Sequence, residues 1–338
     1  MLIQSQFSLK PYNTFGIDVK AKYFAQFDSL EELQQLLQMP NFKQEPKLIV
    51  GGGSNLLFTQ DFDGLVLLNH IKGIEKVKED EEHVYLKAGG GEIWHDFVLY
   101  TLQQNVGGLE NLSLIPGTVG AAPLQNIGAY GVEIKDVFYK LDAVHQQTGE
   151  LKVFDKQACR FGYRESIFKN ELKGQYIITS VTFRLHKAHQ LNTSYGAITS
   201  TLEEMQVLSP TIQDISAAVC QIRKSKLPDP LVIGNAGSFF KNPEIPVGQF
   251  EALKQNYPAL PSYPVSQDTV KVPAGWLIEQ SGWKGKVIEN YGVHKDQALV
   301  LVNYGGANGN QIYQLAKNII QSVEEKFGIR LSPEVNII

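Results

Sequence analysis

The chain has only two cysteines, Cys159 and Cys220, in 338 residues. Two thiols make neither a disulfide framework nor, by themselves, the four ligands of a structural zinc site, so a reduced intracellular setting is the simplest fit. Positive charge is not in excess: 31 Lys and Arg stand against 35 Asp and Glu, a formal net charge of −4, with no long basic tract. That leaves no electrostatic footprint for generic nucleic-acid binding and favours small-molecule ligands. No apolar run approaches the roughly 20 residues needed to cross a bilayer, and the opening MLIQSQFSLKPYNTFGIDVK lacks the basic-then-apolar order of a secretion signal. The expectation is a soluble, cytoplasmic protein with no membrane partner. The seven histidines are scattered, and His186 and His189 have no third ligand near them in sequence, so no metal site is expected.

At 43% hydrophobic the chain can bury a sizeable core, and its length allows two or three domains. Ser29-Leu30-Glu31-Glu32 reads as a capping box ahead of Leu33, Leu36 and Leu37, which recur at helical spacing. Lys47 to Val50 reads as a buried strand running into Gly51-Gly52-Gly53-Ser54-Asn55. A second strand, His83 onward, meets Gly89-Gly90-Gly91 before a helix with Trp94, Phe97, Val98 and Leu102. Phe138 to His145 and Leu151 to Phe154 read as a hairpin, and Tyr176 to Leu185 as a further strand. Ser209-Pro210 is expected to open a helix carrying Ile212, Ile215, Val219 and Ile222, which must stop before Pro228. Ile312, Leu315, Ile319, Val323 and Phe327 mark one face of a long helix closed by Gly328. The pattern is mixed α+β. The expected division is 1–207 (lobes of about 1–70 and 71–207) and 208–328, with 329–338 a strand returning to the first domain.

Glycine, at 30 residues, is only modestly above the usual ~7%, but it is clustered. Three glycines after a buried strand can present backbone N–H groups to a diphosphate, or merely make a tight turn. The sequence is not a Walker A loop, since no Gly-Lys-Ser/Thr follows Gly53, and it lacks the G-x-G-x-x-G dinucleotide spacing. The uncharged stretch from Leu112 to Gly131 offers a second glycine-rich wall for an extended cofactor. Ser238, in Gly234-Asn235-Ala236-Gly237-Ser238, is a turn serine or a proton donor, and without a G-x-S-x-G elbow it is not an acyl-transfer nucleophile. Arg160 and Arg164 bracket an aromatic and suit either an ion pair or a bidentate carboxylate clamp. Arg223-Lys224-Ser225-Lys226 reads as helix-terminal cations favoured by the dipole.

Taken together, these phrases resemble the UDP-N-acetylenolpyruvoylglucosamine reductases of bacterial peptidoglycan precursor synthesis. The residues that carry the resemblance, in chain order, are Asn13-Thr14-Phe15-Gly16, Gly51 to Asn55, Ile115-Pro116-Gly117, Gln125 to Gly131, Tyr163 to Lys169, Lys226 to Pro230, Gly234 to Pro243, Pro273 to Glu279 and Leu331 to Val335. The resemblance implies a two-lobed FAD-binding domain of the vanillyl-alcohol-oxidase-like class and a C-terminal α+β substrate domain. It implies non-covalent FAD held by Gly51, Gly52, Gly53, Ser54, Asn55, Ile115, Pro116, Gly117, Thr118, Gly120, Gln125, Asn126, Gly128, Ala129 and Tyr130, with no His at 51–55 to tether it.

NADPH is the implied hydride donor and UDP-N-acetylglucosamine-enolpyruvate the implied substrate. Arg164 and Glu334 are implied to polarise the substrate carboxylate, and Ser238 to give the quenching proton. Tyr195, Lys226, Asn242, Tyr263, Lys284 and Gln297 match positions implied to hold the UDP-sugar or nicotinamide nucleotide, Tyr195 on the covering loop of the type I form. A monomer is implied. Two alternatives stay open at this point: a flavin oxidase of the same wider fold, and a flavin- or UDP-sugar-binding sensor that does not turn over.

Overall fold

A computed structural model describes residues 2–338. Its architecture is α+β, as the sequence pattern requires, and the chain divides into two compact units. The first comprises the N-terminal segment to Phe7, Ala21–Gly52 and Asp63–Ser225; the second comprises Ser8–Lys20, Gly53–Phe62 and Lys226–Ile338.

The first unit holds two sheets. In one, the strands run in the order Ile3–Ser8, Lys20–Phe27, Phe62–Asn69, Lys47–Val50, the last two parallel in the register Lys47 to Leu65 through Val50 to Leu68. Helix Leu30–Gln38 lays Leu33, Leu36 and Leu37 against Ala25, Phe27, Leu65 and Leu67. Only half of the expected capping box forms: the Ser29 hydroxyl accepts the Glu32 N–H at 3.2 Å, while the Glu32 carboxylate takes the Asp28 N–H at 2.8 Å. The other sheet is antiparallel, in the order Leu151–Asp155, Phe138–His145, Tyr176–His186, His83–Gly89, Ile74–Glu79. Helix Trp94–Gln103 fills its core, with Trp94 and Phe97 both on Phe183.

The expected boundary near 207 falls later. Helices Gly196–Glu204 and Ile212–Lys226 bury Ile198, Leu202, Ile215, Ala218, Val219 and Ile222 together, so the second helix stays with the first unit almost to its end. It opens at Thr211 rather than Ser209, because Thr211 and Asp214 cap each other: the Asp214 carboxylate accepts both the N–H and the hydroxyl of Thr211.

In the second unit the sheet order is Gly234–Ser238, Val300–Asn303, Tyr291–Val293, Val287–Ile288, beside a small sheet of Glu244–Pro246, Thr269–Lys271 and Tyr263–Pro264. Helix Gly309–Phe327 buries Ile312, Leu315, Ile319, Val323 and Phe327. It starts in a reciprocal Asn308/Gln311 capping box and stops at Gly328, φ +64°. The final strand, Asn336–Ile337, does return to the 1–70 stretch, pairing in parallel with Leu56–Leu57, but both belong to the second unit. The Asn13-Thr14-Phe15-Gly16 phrase is structural. Buried Asn13 ties Leu9 O and Ile17 O, the Thr14 carbonyl accepts the Asn235 N–H at 3.0 Å, and the Phe15 carbonyl lies 2.4 Å from where a Gly234 Cβ would stand.

Candidate functional site

In the first unit, glycines let backbone lie on backbone. A Cβ on Gly51 would meet Thr118 Oγ1 at 2.3 Å, and one on Gly52 would meet Gly117 Cα at 3.0 Å, so the strand-to-glycine turn abuts the 117–118 peptide. The Gly89-Gly90-Gly91 cluster has a role without a ligand. A Cβ on Gly89 would meet Ile71 O at 2.4 Å, one on Gly90 Ile178 O at 2.7 Å and one on Gly91 Asn69 O at 2.7 Å. Residues 117–120 are sewn to this loop: Trp94 N–H to Gly117 O, Val119 N–H to Glu92 O, Gly120 N–H to Gly90 O.

Gly128–Ala129 and Val132–Glu133 form a two-residue hairpin whose central Tyr130 and Gly131 both have positive φ, 50° and 82°, the mirror-image turn that matches strand twist. Tyrosine is an unusual occupant there, and the ring stands edge-on to Tyr195 at 5.1 Å. Arg164 also has a left-handed backbone, φ 54°, at the third position of the Gly162–Glu165 turn, and its Nη2 donates to Gly128 O at 2.5 Å. Buried Asn126 is committed to this turn: its Nδ2 donates to Gly162 O at 2.9 Å and its Oδ1 accepts Lys135 N–H. Ser166 Oγ donates to Leu124 O at 2.7 Å and braces the same turn. Ile115 is half-buried, Pro116 exposed, and Gln125 ends the short helix Val119–Gln125.

Two residues that sequence reasoning passed over belong here. Arg223 Nε donates to Leu114 O at 3.2 Å, and its charge acts on the Tyr130 phenol. Burial pushes the phenol of Tyr130 up and the guanidinium of Arg223 down, each partly offsetting the other's shift. The available signal was position: Ser216 and Val219, seven and four residues before Arg223, are buried, which puts Arg223 beside the buried stripe. Asn111 donates to both Tyr130 O and Asn192 O, leaving its buried Oδ1 with no partner among the described residues.

In the second unit, a bulge between Asn235 and Ser238 sets the serine. Asn235 Oδ1 accepts Gly237 N–H at 2.9 Å and Nδ2 donates to Pro228 O and Ile233 O, while Gly237 takes φ +68°. The next residue, Phe239, donates its N–H to Leu299 O and accepts the Glu334 N–H at 2.8 Å, so Ser238 and Glu334 stand on adjoining backbone. Asn55 fastens the same segment: Nδ2 donates to Glu334 O at 3.2 Å, and its carbonyl accepts from Asn336. Gly53 is required, with φ +60° and a Cβ position 2.0 Å from Tyr12 O, and half-buried Ser54 follows it.

The remaining sequence candidates are placed less centrally. Asn242 Oδ1 accepts the Ala274 N–H and caps helix Ala274–Gln280; Gln297 Oε1 lies 3.5 Å from the Cβ position of Gly275 in that helix. Lys284 is ion-paired with Glu279 at 2.9 Å, and Lys226, Tyr195 and Tyr263 are exposed.

The first-unit residues fit an extended, diphosphate-bearing cofactor. The turn at Gly51 and Gly52 has no room for Cβ atoms, and guanidinium groups stand at Arg164 and Arg223. Comparison with known proteins agrees. Residues 21–155 match the FAD binding domain family, and residues 229–338 match the UDP-N-acetylenolpyruvoylglucosamine reductase C-terminal domain family. The chain is 54% identical to a UDP-N-acetylenolpyruvoylglucosamine reductase of Flavobacterium johnsoniae, covering 100% of both chains. It is 49% identical to that of Pseudomonas aeruginosa, covering 99% of this chain and 98% of the relative. The solved structure of UDP-N-acetylenolpyruvylglucosamine reductase from Thermus caldophilus has the same fold, with a TM-score of 0.67 at 23% identity, covering 100% of this chain and 99% of that one.

Proposed function

The chain belongs to the UDP-N-acetylenolpyruvoylglucosamine reductase family, and on that premise we propose that it uses NADPH and non-covalent FAD to reduce the enolpyruvyl group of UDP-N-acetylglucosamine-enolpyruvate to UDP-N-acetylmuramate in the cytoplasm. The observation that carries the reading is the second-unit arrangement of a bulge-set Ser238 on backbone bonded to Glu334. When bound, FAD supplies the hydride carrier between the nicotinamide nucleotide and the vinyl carbon.

The chain's own residues deal with the charge and the proton. As a hydride adds to the terminal vinyl carbon, the electron pair of the double bond moves to the adjacent carbon and its carboxylate. Arg164, whose guanidinium is held by Gly128 O, neutralises that charge, and Glu334 in its protonated form donates a hydrogen bond to it. Ser238 Oγ–H then gives its proton to the adjacent carbon, completing addition of one hydride and one proton. Lys226, Asn242, Tyr263, Lys284 and Gln297 bind the UDP-sugar or nicotinamide nucleotide, and Tyr195 covers the diphosphate.

The test is rapid mixing of Ser238→Ala. Flavin reduction by NADPH stays near wild type, while reoxidation by the enolpyruvyl substrate slows by the roughly 10²–10⁴ of a lost general acid. Unchanged reoxidation removes Ser238 from the proposed role.

A further inference from the structure

We propose that His95 is a positioning residue of the FAD site: its Nδ1, by accepting the Leu114 N–H, locks the hinge from which residues 115–118 run onto the glycine turn. The inference rests on the FAD reading of this unit. Leu114 has φ +59°, a left-handed conformation that is unfavourable for any side chain with a Cβ and persists only where the surroundings fix it. Both of its polar groups are fixed: the N–H by His95 at 2.9 Å and the carbonyl by Arg223 Nε at 3.2 Å.

The flanking residues are anchored independently. Trp94 Nε1 donates to Leu112 O at 2.9 Å and Trp94 N–H to Gly117 O at 3.0 Å. Leu114 is thus the adjustable joint between two fixed points, and the imidazole sets its angle. Downstream of that joint, Thr118 and Gly117 touch the Cβ positions of Gly51 and Gly52, so a change at Leu114 is delivered to the surface expected to carry the diphosphate.

The hydrogen bond requires a neutral imidazole with its proton on Nε2, since a protonated Nδ1 would point a donor at a donor. The charged groups facing His95 are Arg223 and Lys224 from helix Ile212–Lys226 and Asp96 from its own helix. Burial and the two cations oppose protonation, and Asp96 favours it.

The experiment measures FAD release from the holoprotein after dilution, by recovery of flavin fluorescence, at pH 7.5 and pH 5. Asparagine places its Oδ1 where the Nδ1 stood and does not titrate. His95→Ala is expected to release FAD about tenfold faster at pH 7.5, the factor for a hydrogen bond at the upper end of the usual range. His95→Asn stays within about threefold of wild type by the same arithmetic and lacks the acid-induced acceleration of wild type. Release from His95→Ala at the wild-type rate overturns the proposal, as does His95→Asn matching His95→Ala at pH 7.5. Should His95→Ala not fold, an acid response in His95→Asn equal to that of wild type overturns it alone. Wild-type protein purified without flavin and unable to take it up refutes the cofactor reading instead.

Discussion

Replacing Asn235 by alanine separates the scaffold of the proposed proton donor from the donor itself. The Asn235 side chain is 4% exposed and makes three hydrogen bonds, accepting from Gly237 N–H at 2.9 Å and donating to Pro228 O at 3.1 Å and Ile233 O at 2.8 Å. At about 1 kcal/mol net for each, Asn235→Ala costs about 3 kcal/mol, and more if the stranded Gly237 N–H and two carbonyls stay dry. Because the same bonds define the bulge before Ser238, the proposed proton delivery is expected to slow as well, while the proposed reduction of flavin by NADPH is not. Asn235→Asp keeps the acceptor for Gly237 but sets a carboxylate against two carbonyl oxygens, so it does not restore stability at neutral pH. The assay pairs urea denaturation with stopped-flow measurement of the two half-reactions. An Asn235→Ala protein within about 1 kcal/mol of wild type and unaltered in substrate reduction would refute the reasoning, since at least three ordinary hydrogen bonds would then be worth nothing.

Two helix-start glycines make a matched pair. Gly309→Ala places a Cβ 1.7 Å from Phe58 O and is expected to destabilise by about 1–3 kcal/mol, whereas Gly248→Ala, with nothing within 4 Å, is expected to stabilise by about 0.4–1 kcal/mol; urea midpoints decide, and movement of both in one direction contradicts the contact argument. His186 and His294 are held below the ordinary histidine value of 6.5, first by burial. Below that value the unfolded chain binds protons that the folded chain refuses, so stability falls as pH drops from 6.5 toward the folded-state values and is full above 6.5. Thermal midpoints at pH 7.5 and 5.5 check this, and His294→Gln should flatten part of the slope.

Much of the fold was legible because its helices carry clean stripes: Leu33, Leu36 and Leu37 in one, Ile312 to Phe327 in another, both buried as their spacing requires. The glycine clusters were legible as sites of close approach but not by kind. Gly51 and Gly52 abut Thr118 and Gly117 while Gly89 to Gly91 pack on Ile71, Ile178 and Asn69, and the absence of a Cβ looks the same in sequence for both. Arg223 was hidden because a cation in the last turn of a helix is already accounted for by the dipole. The assignment of residues 8–20 and 53–62 to the second unit left no compositional mark, since each segment is too short to carry a periodicity of its own. Asn55 could be picked out from the glycine phrase, but not its bond to Glu334, 279 residues away.

That bond also sets an order of events during synthesis. Asn55 is synthesised 279 residues before the Glu334 carbonyl that it binds, and Leu56–Leu57 waits about as long for Asn336–Ile337. Closing so long a loop is entropically costly before any contact rewards it, and such pairings form late. The second unit therefore spends the synthesis of that interval with an unpaired two-residue strand and an unfilled polar clasp, and completes only once residues 334–337 are available. A nascent chain stalled before residue 334 would carry folded elements of the first unit beside an incomplete second one, the state that a chaperone or a protease meets first.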